Sequence, residues 1–250
     1  MGKKVLIAGE SWMTSSTHVK GVDEFTVHSY VEGVGPLRDA LTSRGHEVVH
    51  MPAHLVPTQF PGTAEALSEF DVIVLSDIGS NSIQLAPNVF DRFQAGDDRL
   101  AALREWVSSG GGLIMIGGYL SFSGFQARAA YRQTVLADVL PVTLLAEDDR
   151  VEAPGGMVPD VVGSTHAALG ASGTQWPALL GYNRVVPKEG VTVPATINGD
   201  PLVAVGEYGS GRSAVFTSDC SPHWAPPEFC EQWPGYTDLF DGLITWVADA

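Results

Sequence analysis

Four short apolar runs dominate the first half of the chain: VLIAG (5–9), EVVHMP (47–52), DVIVLSDI (71–78) and GLIMIGG (112–118). Each is rich in branched residues and bounded by turn-forming ones, and none shows the in–out alternation of a strand with one wet face. Continuous apolar runs of this length suit strands buried on both faces. Two helical patterns separate them: residues 33–44, stopped by Gly45, and residues 97–109, opened by an aspartate pair and closed by three glycines. A third helix is expected over about 127–138. Strands alternating with helices require right-handed crossovers and a parallel sheet covered on both sides. The expectation is an α/β fold with a doubly wound, mostly parallel, flavodoxin-like sheet.

From 141 to 210 the texture changes. Segments such as VTLLAEDD, GVTVPATI and PLVAVGEY are interrupted by Gly and Pro, which reads as an antiparallel or irregular insertion. GRSAVFTSD (211–219) restores the core-strand pattern, and a closing helix over 236–250 places Leu239, Leu243, Trp246 and Val247 on one face. There is no repeat or linker, so residues 1–250 are expected to form one domain.

The charge balance excludes some functions. With 29 acidic and 14 basic residues the formal net charge is −15, which repels nucleic-acid phosphates and anionic membranes. No window supplies the roughly 18 apolar residues of a membrane span. The opening MGKKVLIAG reads as a strand and not a signal peptide, and Leu6 stands where a myristoylation signal needs Ser or Thr. A cytoplasmic location is expected. Cys220 and Cys230 lack the CxxC spacing of zinc or redox sites.

In an open α/β sheet, ligands bind beyond the carboxyl ends of the strands. Those ends carry GESW (9–12), SDIGSN (76–81), GGYLS (117–121) and SDCSPHW (218–224). They supply three carboxylates, Glu10, Asp77 and Asp219, with the imidazole of His223 and the phenol of Tyr119. Such a set suffices for general acid–base chemistry if burial moves a pKa toward neutrality. Ser11, Trp12, Ser80, Asn81, Gly118, Ser121 and Trp224 are the candidate substrate-binding residues beside them. Taken singly, each has a structural reading as a cap, turn or core residue. Asp77, Asp219 and His223 follow no recognised metal-ligand spacing, so neither metal nor cofactor is expected. GEYGSGR (206–212) lies between two strand-like runs and reads as a hairpin turn, not a phosphate loop. GESWMTSS lacks a dinucleotide fingerprint, and His46, His50 and His54 straddle a strand and Pro52, which argues against a metal site. Trp224, Phe229, Trp233 and Tyr236 read first as core packing or an oligomer contact, and second as a pocket wall.

The IMIGGYLSFSG turn, the GRSAVFTSDCSPHW segment, the opening GESWMTSSTHVKGVDEFTVHSYVEG and SDIGSNSIQL resemble the class I glutamine amidotransferase-like superfamily, in particular its amidotransferase-like branch of unknown function. The resemblance covers most of the chain. In true amidotransferases of that superfamily a cysteine stands at the tip of a G-x-C-x-G elbow, with a His–Glu pair late in the chain. Here the tip is Tyr119, and no His-x-Glu motif follows. A phenol of pKa about 10 is no substitute for a thiolate. The resemblance therefore implies the fold without glutaminase activity. The expected function is an enzyme acting on a small polar, sugar-like molecule by acid–base hydrolysis or elimination, with Asp219 or Glu10 as base, His223 as partner and Tyr119 as donor. The alternatives are a non-catalytic ligand-binding or partner subunit, and an amidotransferase with a displaced nucleophile at Cys220. A homo-oligomer is expected from the Trp- and Pro-rich second half.

Overall fold

The computed structural model describes residues 2–162 and 166–250. The strands of the first half are β1 (Lys4–Gly9), β2 (Ser11–Lys20), β3 (Asp23–Glu32), β4 (Glu47–Met51), β5 (Val72–Ser76) and β6 (Gly112–Ile116). Those of the second half are β7 (Val142–Leu144), β8 (Arg150–Met157), β9 (Asp160–Val161), β10 (Leu179–Asn183), β11 (Val185–Pro187), β12 (Thr192–Ile197), β13 (Asp200–Tyr208) and β14 (Gly211–Phe216). Eight of them form a central sheet in the order β4-β1-β5-β6-β14-β13-β12-β9. The first five are mutually parallel, and β13, β12 and β9 continue the sheet antiparallel.

The apolar runs become central strands because both of their faces are covered. Val5, Ile7, Val72, Val74, Ile114 and Ile116 point to a core shared with Leu37 and Leu41 of helix Gly35–Ser43 and Leu239, Leu243 and Val247 of helix Gly235–Ala248. Their odd-numbered and even-numbered neighbours, Leu6, Ala8, Ile73, Leu75, Leu113 and Met115, meet Leu100, Leu103 and Val107 of helix Arg99–Ser108 on the other side. Strand side chains alternate in direction, so a run apolar at every position can serve only a sheet buried on both faces. The helices at 35–43 and 99–108 match the expected patterns, and the Asp98 side chain caps the second by accepting from the Ala101 N–H.

The helix expected over 127–138 is not there. Two 3₁₀ turns, Phe125–Ala127 and Tyr131–Gln133, lead into a single turn at Leu136–Val139. The approach to this segment is anchored by carboxylates: Asp149 accepts from the N–H groups of Ser123 and Gly124, and Asp148 from that of Gln126. Gln126, Ala127 and Ala130 adopt positive φ, which a right-handed helix forbids. The segment 141–210 is antiparallel as expected, but it is less an insertion than an extension, since β12 and β13 join the main sheet. GEYGSGR is the β13–β14 turn, with Tyr208 opposite Gly211. Trp224, Phe229 and Tyr236 are core residues, and Trp233 packs beside Phe229.

The largest departure from expectation is at residues 11–32. The sequence patterns assign no element beyond the strand end at 9–12, yet these residues form an unbroken hairpin of two ten-residue strands, paired from Ser11 opposite Glu32 to Lys20 opposite Asp23. Every residue of it except Ser11 is exposed.

Candidate functional site

Three strand ends converge on one cavity of about 500 Å³. Glu10 directly follows β1 and Asp77 directly follows β5, and the segment after β14 carries Asp219, Ser221 and His223. Glu10 and Asp77 both have left-handed backbones, with φ of 50° and 42°. A non-glycine residue there costs about 1–2 kcal/mol, and such strain persists only where neighbouring bonds fix it. For Glu10 those bonds are its own N–H donating to Ser76 O and the Gly33 N–H donating to its carbonyl, each at 2.9 Å. The turn swings the carboxyl inward, and the second bond clamps the base of the hairpin.

The Glu10 side chain is 1% exposed. Its oxygens accept from Ser76 Oγ at 2.5 Å and Ser221 Oγ at 2.7 Å. Burial, then the charge of Asp219, pushes its pKa up to about 7 against the pull of these hydroxyls. Burial, then the charge of Glu10, raises Asp77 to about 6, although the Leu120 N–H donates to its Oδ1 at 2.6 Å. Asp219 is raised too, by burial first; its bond with His223 opposes that rise. His223 Nδ1 lies 3.3 Å from Asp219 Oδ2, and this partner holds the imidazole pKa above its ordinary value. Three carboxyl groups that repel one another in a buried place do not all ionise near neutrality, so this cluster holds protons that free carboxylates would release.

The walls are aromatic. Trp12, Leu120 and Phe125 line the cavity with Tyr119, whose ring stands edge-on to His223 at 4.5 Å between centroids and lies parallel to Phe125 at 5.8 Å. Arg150 stacks on Tyr119 and Phe125 at 4.8 and 4.1 Å. Arg128 is the one cation among the cavity-lining residues described. The Tyr119 hydroxyl donates to Glu152 Oε1 at 3.2 Å, so the ring faces the cavity while the hydroxyl is engaged elsewhere. Strand β6 does end in a sharp turn, with Gly118 at φ 144°, but no helix follows it. A Cβ at Gly118 would sit 2.7 Å from Asp77 Oδ1, and one at Gly33 would sit 2.8 Å from both Glu10 Oε1 and Ser221 Oγ.

Of the residues expected at the site, Glu10, Trp12, Asp77, Tyr119, Asp219 and His223 line the cavity. Ser11, Gly118, Ser121 and Trp224 do not line it but brace it. Ser11 Oγ accepts from Ala53 N–H, Gly118 N–H donates to Asn183 Oδ1, and Ser121 Oγ accepts from the Asp77 N–H. Trp224 stacks on His223 and donates to Glu152. Ser80 and Asn81 stand apart from the cavity: Ser80 is buried with its N–H donating to Ala129 O, and Asn81 is exposed. Sequence reasoning missed Ser76 and Ser221 as partners of Glu10, although both lie in the strand-end segments it singled out. It missed Arg128 because 127–138 reads as a helix, and Phe125 because it lies between that segment and the strand-end segment at 117–121.

Cys220 lies beside Glu10 and Ser76, 3.5 Å from each, not beside His223. Burial, then the charges of Glu10 and Asp219, drives its thiol pKa well up, the opposite of what a nucleophilic thiolate needs. Glu10, Asp219 and Cys220 offer ligand atoms within 4.8 Å of one another. Both Glu10 oxygens are, however, already occupied by serine hydroxyls, and the thiol holds its proton, a poor fit to a cation.

Two solved structures are similar over nearly the whole chain. Cytoplasmic Protein STM3548 from Salmonella typhimurium is 45% identical, with 97% of this chain and 98% of that one covered and a TM-score of 0.93. Cytoplasmic Protein STM1381 from Salmonella typhimurium LT2 is also 45% identical, with 98% and 99% covered and a TM-score of 0.93. A ThuA-like protein from Parabacteroides merdae shares the fold at 14% identity and a TM-score of 0.56, over 99% of this chain and 90% of that one. No curated protein matches in sequence. The family model described as "Putative glutamine amidotransferase" matches residues 4–249, nearly the whole chain, and the protein belongs to this GATase1-like family.

Proposed function

We propose that the protein is an enzyme of the amidotransferase-like fold that has given up glutamine hydrolysis and carries out acid–base chemistry on a small, uncharged, polyhydroxylated molecule. The observation that carries this reading is the buried Glu10–Asp219 pair at the floor of an aromatic-walled cavity, with His223 tied to Asp219. Asp219 holds the imidazole by Nδ1, which leaves Nε2 for the substrate, the arrangement a general acid–base histidine requires. Glu10, with a pKa of about 7, is poised to exchange a proton in the same pH range.

Substrate class follows from the lining. The acidic cluster disfavours an anion, and Asp77 and Asp219 offer acceptors to hydroxyls, while Trp12, Tyr119 and Phe125 offer faces on which the C–H side of a sugar-like ring stacks. Because Tyr119 OH already serves Glu152, its contribution is this wall and not proton donation. Ser80 and Asn81 drop out of the proposed machinery. Glutamine hydrolysis is disfavoured by Tyr119 at the elbow and by the protonated, buried Cys220. We further read the chain as one flavodoxin-like, doubly wound domain acting in the cytoplasm, as the two Salmonella relatives are named.

The test is a turnover screen of neutral polyhydroxylated compounds with the wild type, Asp219→Asn and His223→Ala. Removal of a positioned acid–base group should slow turnover by about 10²–10⁴-fold. Full activity in both variants would overturn the role assignment. Tight binding of such a compound without any turnover would instead make the protein a ligand-binding subunit.

A further inference from the structure

The hairpin β2–β3 touches its own chain near its base, where Ser11 Oγ accepts from the Ala53 N–H and Tyr30 stands edge-on to His54 at 5.2 Å; the rest of its length is exposed, and its composition is that of an interface. Direct cross-strand pairing puts Trp12 opposite Val31, Ser16 opposite Val27 and His18 opposite Phe25. Residues two apart share a face, so Trp12, Val31, Val27 and Phe25 lie on one face, interleaved with the uncharged Thr14, Ser16 and Ser29 and with His18. Trp12 is 40% exposed, and Phe25 and Val27 are each 47% exposed. In residues 11–19 and 25–31 there is no Asp, Glu, Lys or Arg; the four charges of the arm sit at its tip and base. Depletion of charge with enrichment of aromatic residues marks the centre of protein interfaces.

The ladder is unbroken, and each strand has a free edge with no bulge or proline to blunt it, which isolated proteins avoid. A two-stranded ribbon alone in water is only marginally stable. A second exposed apolar surface lies on the same chain: Phe90 and Phe93, 63% and 91% exposed, in the connection that follows β5. β5 neighbours β1 in the sheet, so this surface and the arm both leave the carboxyl side. Neither covers the other within one chain.

We propose that the arm of one molecule docks on the Phe90–Phe93 surface of a second copy, with a twofold axis making the exchange reciprocal. Each orphan surface then has its complement, as a self-complementary dimer requires. One face of the arm carries ten of its twenty strand residues, and with the reciprocal receiving surface each copy approaches the low end of the roughly 20–30 residues a side of a standard interface. The arm brings no charge over 11–19 and 25–31, and Asp91 and Arg92 in the receiving segment offset each other, so this contact is close to neutral in a chain of net charge −15. This dimer is not the one expected from the second half, where Trp176 and Trp224 are buried in the core. Trp12 belongs both to the arm and to the cavity wall, so docking would fix one side of the site.

The experiment is sedimentation of the full chain with two double variants: Phe25→Asp/Val27→Asp in the arm, and Phe90→Asp/Phe93→Asp in the receiving surface. None of the four residues lines the cavity. The wild type should sediment at twice the 26.5 kDa chain mass, and each variant should dimerise at least about 30-fold more weakly. Mixing the two variants should restore a heterodimer, because one intact arm then meets one intact surface; misfolded chains would not complement. A monomeric wild type, a dimer indifferent to the arm variant, or a failure of the mixture to associate would each overturn the proposal. The readout is independent of turnover, so it stands or falls apart from the catalytic reading.

Discussion

Replacing Glu10 by glutamine removes a charge that the fold does not accommodate, and the consequence can be worked out with its sign. The carboxyl is raised from 4.5 to about 7 in the folded protein. Between those values the folded state holds a proton that the unfolded chain has released, so stability is greatest at low pH and is lost as pH rises toward 7. At about 1.4 kcal/mol per unit, the cost is about 3 kcal/mol at pH 8 and about 1 kcal/mol at pH 5. Glutamine is isosteric and neutral, keeps an acceptor for one of the two serines and donates to the other. Glu10→Gln should therefore be more stable than the wild type by up to about 3 kcal/mol at pH 8, with the gap closing to about 1 kcal/mol at pH 5. For a chain of this size that gap corresponds to a Tm rise of roughly 6–12 °C at pH 8. Thermal unfolding of both proteins across this pH range measures it. A variant equal to or less stable than the wild type at pH 8 would refute the claim that Glu10 is an uncompensated buried carboxyl.

The remaining predictions address its neighbours. Asp219→Asn should lower the His223 pKa, because the partner that raises it is neutralised; imidazole resonances followed by NMR titration report this, and an unchanged value would dissolve the pair. Gly33→Ala forces a Cβ to 2.8 Å from Glu10 Oε1 and Ser221 Oγ, and chemical denaturation should show a loss of about 1–3 kcal/mol. In the native protein Cys220 should react with a thiol reagent at pH 7 at least about 100-fold more slowly than in the unfolded chain. Rapid modification at that position would revive a displaced nucleophile.

How much was legible in the sequence depended on whether a signal was local. The five parallel strands and the helices at 35–43 and 99–108 were readable because apolar runs and end signals are written in contiguous residues. Glu10, Asp77, Asp219 and His223 were findable for the same reason: each sits just beyond such a run. The helix expected over 127–138 was misread because the chain there turns through left-handed residues at Ala127 and Ala130, after an approach anchored by Asp148 and Asp149 from about twenty residues away. The hairpin was missed because its alternation of Trp, Val and Phe with Ser and Thr is broken by His18, Lys20 and Glu24, and because exposed strands lack the buried face that makes a strand visible.

The sequence by itself determined that this chain builds a mostly parallel sheet covered on both faces, and that polar residues gather at the carboxyl ends of its strands. Only the tertiary structure decided which of those residues meet. Burial of Glu10 beside Asp219, two carboxyl groups 209 positions apart, turns ordinary side chains into proton-holding ones, and desolvation is a property of place and not of composition. The same holds for the arm: Phe25 and Val27 stand exposed because the fold projects the hairpin into solvent beyond its base.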